Sequence, residues 1–196
     1  MTKAGKLFVM VAAMVATMAV AAKPAHAVPV LGGQLFGLGG DVTVEILDSD
    51  ALFVNKLFLE VPLNNVVLDN IATNTTPVGS TFNLGSWAAG AELVFGIEVN
   101  DTEIAGGPTV FRYRMGEASR NPDSVIHAQV EFLSANEAIV EFEDKNVGTP
   151  GYDNDLNDLR FRFVGVGSEP VIPEPASMLL FGLGLMGAGL RARKRS

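Results

Sequence analysis

Between Val42 and Phe163 a series of short segments alternates apolar and polar residues at every second position, and none shows a convincing helical spacing. Period two is the mark of a strand with one buried face; an amphipathic helix would show period 3.6. Val42, Val44 and Ile46 alternate with Thr43 and Glu45. Leu52–Val61 places Phe53, Leu57, Leu59 and Val61 on one face, and Asn64–Asp69 adds a short segment. Glu92–Val99 presents Leu93, Phe95, Ile97 and Val99, and Thr109–Met115 sets Phe111, Tyr113 and Met115 against Arg112 and Arg114. Val125–Leu133 turns Ile126, Ala128, Val130 and Phe132 inward and His127, Gln129 and Glu131 outward. Ala138–Glu143 follows a turn at 134–137, and Leu159, Phe161 and Phe163 form the buried face of the last segment. Residues 28–40 give no pattern, and 70–81 read as a polar loop around Pro77 and Gly79. The expected fold is all-β, an antiparallel sandwich or jelly roll of about eight strands.

Both ends of the chain break this pattern. Lys3 and Lys6 precede an apolar run from Leu7 to Ala22, and Ala25-His26-Ala27 supplies small residues around a secretory cleavage point. A cut after Ala27 by the export machinery of the Sec translocon is expected. At the other end, Pro173-Glu174-Pro175 precedes an uncharged stretch, Ala176–Leu190, and a basic end of Arg191, Arg193, Lys194 and Arg195. As a helix those apolar residues would reach about 22 Å at ~1.5 Å per residue, against a bilayer core of roughly 30 Å. Snorkelling arginines extend the reach of so short a span, and the four cations hold its end in the cytoplasm. The order of triplet, apolar run and basic end resembles the PEP-CTERM signal of exported Gram-negative proteins. That resemblance implies an exosortase as partner, transient anchoring in the inner membrane, and delivery to the cell surface or matrix. The organisation is therefore residues 1–27 as signal peptide, 28–170 as an exported domain, and 171–196 as a sorting tail with a transmembrane helix.

Removing the two ends changes the charge. Residues 28–172 hold 21 acidic and 7 basic side chains, net −14, against −8 for the whole chain. Such a surface repels nucleic acid and anionic lipid but attracts divalent cations. There is no cysteine, so packing or a metal must provide what disulfides give other exported domains.

The carboxylates concentrate between the last two predicted strands. Glu143 and Asp144 precede a spacer with Gly148 and Gly151, and Asp153, Asp155, Asn157 and Asp158 follow. Oxygen donors at alternate positions of a tight loop can converge on one calcium ion, which takes six to eight hard ligands. The spacing is not that of an EF-hand, because Asp158 stands where its glycine is needed and Val164 where its bidentate Glu is needed. The alternative is a solvated turn with Asp and Asn chosen for backbone geometry.

Phe142-Glu143-Asp144 with Asp153-x-Asp155-x-Asn157-Asp158 also resembles an F-E-D…D-x-D-x-N-D domain common in exported PEP-CTERM proteins. Leu93-Val-Phe-Gly96 and Asn121-Pro-Asp…His127 match it too, and the likeness spans roughly 85–166. The spacer here is poorer in Gly than the family's. The resemblance implies a β-rich, calcium-binding exported domain and no known reaction. If the 134–137 turn pairs Leu133 with Ala138, His127 falls opposite Asp144. His127 then reads as a partner behind the calcium ligands, or as a solvated residue of the polar face.

Other motifs carry little. Gly182-x-Gly184-x-x-Gly187 follows no strand and opens no βαβ unit, so it is not a dinucleotide site. Phe82, Asn83 and Trp87 could stack a sugar, although a single Trp more often packs into a core. A G-x-S-x-G elbow is lacking, and one His remains after maturation. The expected role is non-enzymatic, structural or adhesive in extracellular polysaccharide and biofilm, with calcium bound. The alternative is a calcium-dependent carbohydrate-binding module, and a third reading is a secreted hydrolase using a carboxylate pair.

Overall fold

A computed structural model describes residues 28–51, 53–101, 109–149 and 152–168. The cleavage residues Ala25 and Ala27, the Pro173-Glu174-Pro175 triplet, the tail helix and the basic end lie outside the described residues.

Among the described residues twelve strands run in chain order: β1 (Val30–Leu31), β2 (Phe36–Gly37), β3 (Gly40–Ser49), β4 (Val54–Glu60), β5 (Val66–Thr73) and β6 (Thr81–Trp87) are followed by β7 (Val94–Asp101), β8 (Thr109–Arg114), β9 (Ala128–Ser134), β10 (Glu137–Phe142), β11 (Leu159–Val164) and β12 (Val166–Gly167). A six-stranded sheet has the order β1-β9-β10-β11-β3-β6, a four-stranded sheet the order β5-β4-β7-β8, and β12 pairs with β2. Every pairing is antiparallel. The two large sheets face each other as a sandwich, with Phe95 of β7 against Phe163 of β11 at 4.1 Å between ring centroids.

The alternating residues build this contact. Val42, Val44 and Ile46 meet Leu57, Leu59, Phe95, Ile97 and Val99 across the layer, joined by Val130, Val140 and Phe161. On the outer faces the polar positions pair: Arg160 with Glu141, Arg162 with Glu45 and Glu137, and Glu98 with both Lys56 and Arg112. All eight expected segments are strands. Four more escaped the alternation. β1, β2 and β12 are two residues long. β6 is an outermost strand in which only Leu84 is buried, and Gly85 takes a positive φ of 84°. An edge strand with one buried side chain leaves no period to read.

Two expectations are corrected. Residues 70–73, read as loop, extend β5, which turns only at Thr73–Thr76. The β9–β10 hairpin carries a bulge: Glu137 pairs with Ser134, but Ala138 pairs with Phe132, leaving Leu133 without an opposite residue. The extra residue shifts the rest of the hairpin by one. His127 therefore lies level with Glu143, whose N–H donates to its carbonyl at 2.9 Å, and not with Asp144.

Gly96 is a point where β7 admits no side chain. A Cβ there would stand 2.4 Å from Phe58 Cζ and 2.5 Å from the Tyr113 carbonyl oxygen. Overpacking a filled interior costs roughly 1–3 kcal/mol. Gly96→Ala is therefore expected to lower the unfolding free energy measured in urea by that much and to displace Tyr113; an unchanged urea midpoint would refute the close packing of β4 and β8 around this position.

Candidate metal centre

The acidic residues gather where β10 ends and β11 begins. Pairing of these strands closes the base of the 143–158 loop, with the Asp158 N–H donating to the Phe142 carbonyl at 3.1 Å. The Asp144 N–H donates to Asp158 Oδ2 at 2.7 Å, which draws both ends of the loop together. Glu143 and Asp144 are each only 1 % exposed. One carboxylate oxygen from each of Glu143, Asp144 and Asp158 lies within 4.8 Å of the others, and Glu143, Asp153 and Asp155 form a second such group. Glu143 is common to both. Asp153 and Asp155 are exposed, so the second group opens to solvent while the first is enclosed.

The loop between them is held in an uncommon shape. Asn154 and Leu156 both adopt left-handed backbone, with φ of 57° and 56°. Asn tolerates that region, but Leu does so at a cost of about 1–2 kcal/mol. Burial of the Leu156 side chain, 5 % exposed, offsets this and pins the loop to the core. Asn157 is exposed, and its side-chain amide donates to Asp155 Oδ2 at 2.6 Å.

Three residues complete the surroundings: Asn55 and Asn74, which sequence reasoning missed, and Asp123 of the Asn121-Pro-Asp motif. Asn55, on β4 of the opposite sheet, is fully buried and donates from Nδ2 to Asp144 Oδ2 at 2.7 Å. Asn74 fixes it there: its Oδ1 accepts the Asn55 N–H at 3.2 Å and its Nδ2 donates to the Phe53 carbonyl at 2.7 Å. Asp123 accepts from His127 Nε2 at 2.9 Å.

His127 itself is fully buried, against the expectation of an outward, solvated residue. Its ring stacks on Tyr113 at 3.8 Å and 13°, and its Nδ1 lies 3.1 Å from the Glu143 carbonyl oxygen. His127 lies just before β9, which begins at Ala128, so the strand's alternation, kept by buried Ala128 and Val130, does not extend to it. Both ring nitrogens face acceptors, and only the doubly protonated imidazole donates to both. His127 thus sits behind the Glu143 backbone rather than among the carboxylates.

The electrostatics of the enclosed group are unfavourable as it stands. Burial, with Asp158 and Asp153 nearby, pushes the Glu143 carboxyl up to about 7. Burial and the charges of Asp144, Asp155 and Asp153 push Asp158 up to about 7 against the opposing Asp144 N–H. Burial likewise raises Asp144. Of the five buried side-chain oxygens without a hydrogen-bond partner among the described residues, two are Asn100 Oδ1 and the Tyr113 hydroxyl, and three are here: Asn55 Oδ1, Glu143 Oε2 and Asp144 Oδ1. Orphaned buried acceptors cost about 1–3 kcal/mol each, and native proteins satisfy nearly all of them. A hard cation supplies what each of the three oxygens here lacks. The donors are all carboxylate or amide oxygens, with no imidazole or thiolate among them, which suits calcium better than zinc or copper.

The sugar-stacking residues fare differently. Phe82 and Trp87 pack against the core, and Trp87 Nε1 donates to the Leu84 carbonyl at 3.1 Å.

Residues 171–194 match the family model described as the PEP-CTERM protein-sorting motif. The tail is a PEP-CTERM sorting tail. The motif implies processing by an exosortase and an exported chain anchored in the membrane while it is sorted. No curated protein and no solved structure matches the chain. The PEP-CTERM match covers the tail and leaves the metal-centre residues to be judged on their own geometry.

Proposed function

We propose that this exosortase-sorted protein is a calcium-dependent, non-enzymatic component of the extracellular polysaccharide matrix or biofilm of a Gram-negative bacterium. The observation that carries the calcium reading is the set of buried, partnerless oxygens on Glu143, Asp144 and Asn55, with the Asp158 carboxylate clustered beside those of Glu143 and Asp144. Extracellular modules bind calcium at about 10⁻⁴–10⁻³ M, and a cation clustered with carboxylates relieves their mutual repulsion. The resemblance of the 142–158 segment to the F-E-D…D-x-D-x-N-D domain supports the same reading.

The test is fractionation. Protein in the extracellular polymer should be retained in calcium washes and released by chelator; equal release in both would refute calcium-dependent retention. A second reading, a calcium-dependent carbohydrate-binding module, draws on the exposure of Asp153 and Asp155, which would leave an outer cation open to sugar hydroxyls. It predicts retention on a glycan array in calcium and none in chelator. A hydrolase would instead turn over a glycoside and lose that turnover on substitution of one carboxylate.

The tail makes its own prediction. Changing Arg191, Arg193, Lys194 and Arg195 together to Gln removes the charges that hold the tail's end in the cytoplasm. Immunoblots should then show unprocessed precursor in place of the mature, exported form, and normal processing would sink the topology assigned to this end.

A further inference from the structure

The enclosed carboxylates lie at the end of the six-stranded sheet, but the side chain that closes over them comes from the other layer. Asn55 is on β4, and a core-facing position would ordinarily be apolar there. Burying an amide at such a place is unfavourable unless both its ends are used. One end is used, Nδ2 on Asp144. The other, Oδ1, has no partner, and neither have Asp144 Oδ1 and Glu143 Oε2 beside it. Asn74 holds the Asn55 backbone from both sides, its Oδ1 accepting the Asn55 N–H and its own N–H donating to the Asn55 carbonyl at 3.3 Å, while Asp144 holds the side chain.

We propose that Asn55 completes an inner, solvent-excluded cation position with Glu143, Asp144 and Asp158, and that the ion there ties the two sheets together. The proposal rests on the calcium reading and adds a fourth residue, a second layer and a division of labour. The inner ion is a clasp between β4 and the β10–β11 loop. Asp153 and Asp155, exposed and sharing Glu143, form the outer rim through which ions exchange. A neutral amide oxygen suits the inner position, because three carboxylates already exceed the charge of one divalent ion.

The test uses the processed protein purified from its exporting host, with terbium as a luminescent stand-in for calcium. Lifetimes in ordinary and heavy water count the waters on the ion. The tightest-bound ion should carry few waters, since protein oxygens fill most of its shell. A largely hydrated ion would overturn the inner position while leaving calcium binding at the rim intact. If the protein binds neither terbium nor calcium, both this inference and the calcium reading fall.

Two variants separate a ligand from a mere hydrogen-bond donor. Asn55→Ala should weaken calcium binding by about tenfold to a hundredfold, the range seen when groups supporting a metal are lost. Asn55→Asp supplies an oxygen but no donor to Asp144. It should unfold more readily than the parent in chelator and gain more from calcium than the parent does. Binding by Asn55→Ala equal to that of the parent, or an Asn55→Asp protein weakened equally in calcium and in chelator, would assign Asn55 a purely structural role. Should neither variant fold, the water count on the unaltered protein decides.

Discussion

Calcium added to the chelator-treated, processed protein is expected to raise its unfolding temperature by roughly 10 °C. A ligand that binds only the folded state stabilises it by about 2.7 kcal/mol at a hundredfold excess over its dissociation constant, and each kcal/mol is worth roughly 2–8 °C in domains of 60–250 residues. The variant Glu143→Gln/Asp144→Asn sharpens the expectation. In chelator it should unfold at or above the parent's temperature, because two buried charges that repel each other and Asp158 are gone. In calcium it should gain nothing. The two proteins therefore exchange order between the two buffers. A variant less stable in both buffers that still responds to calcium would show that the ion binds elsewhere.

The second large effect is a stability that falls as pH rises. In the folded chain Glu143 and Asp158 take up protons at about 7, above their ordinary values of 4.5 and 3.8. Between those values the folded state holds more protons than the unfolded one. The stabilisation is therefore present in full near pH 4 and is lost as pH passes through 7. For Glu143 the difference corresponds to roughly 3 kcal/mol at 1.36 kcal/mol per unit. Asp123 works in the opposite sense. Burial opposes its ionisation, but the His127 hydrogen bond and the Val147 and Val125 N–H groups hold it below the usual range. Its contribution is lost on strong acidification, so the optimum in chelator should fall near pH 5. Urea unfolding at pH 5 and pH 8 in chelator measures the slope; calcium should flatten it by taking the place of the protons. Stability that rises from pH 5 to pH 8 in chelator would refute the buried carboxylate cluster.

The sandwich was legible because most strands bury one face, and alternation records that directly. The inward series Leu93, Phe95, Ile97, Val99 is buried as its spacing predicts. β6 was illegible because its partner covers it on one side only, and its sequence has no apolar face to repeat. The loop carboxylates could be named from composition and spacing, but not sorted into an enclosed and an exposed group. That sorting follows from the pairing of Phe142 with Leu159, which carries Glu143 and Asp144 inward and leaves Asp153 and Asp155 outside. The residue opposite His127 was misplaced by one through the bulge, a feature that side-chain pattern does not encode, and the burial of His127 was missed because it lies just outside β9. Asn55 left a trace that was passed over. It falls in step with Phe53, Leu57 and Leu59, a polar residue on an otherwise apolar face. A misfit of that kind in a strand marks a buried polar group that must be satisfied.

The position of the last strand bears on how the acidic end is presented. β12 follows directly on Gly165, whose N–H donates to the Asn136 carbonyl, at the turn end of β10. The carboxylates lie past the other end of β10, a strand of 6 residues. At ~3.4 Å per residue that separation is about 20 Å. The described chain therefore ends near the turn end of β10, opposite the end that carries the carboxylates. The gap exceeds two screening lengths of ~8 Å at physiological salt. A charge placed beyond the turn end of β10 is therefore largely screened from the carboxylates, whose mutual repulsion is set by their own loop and by what binds there.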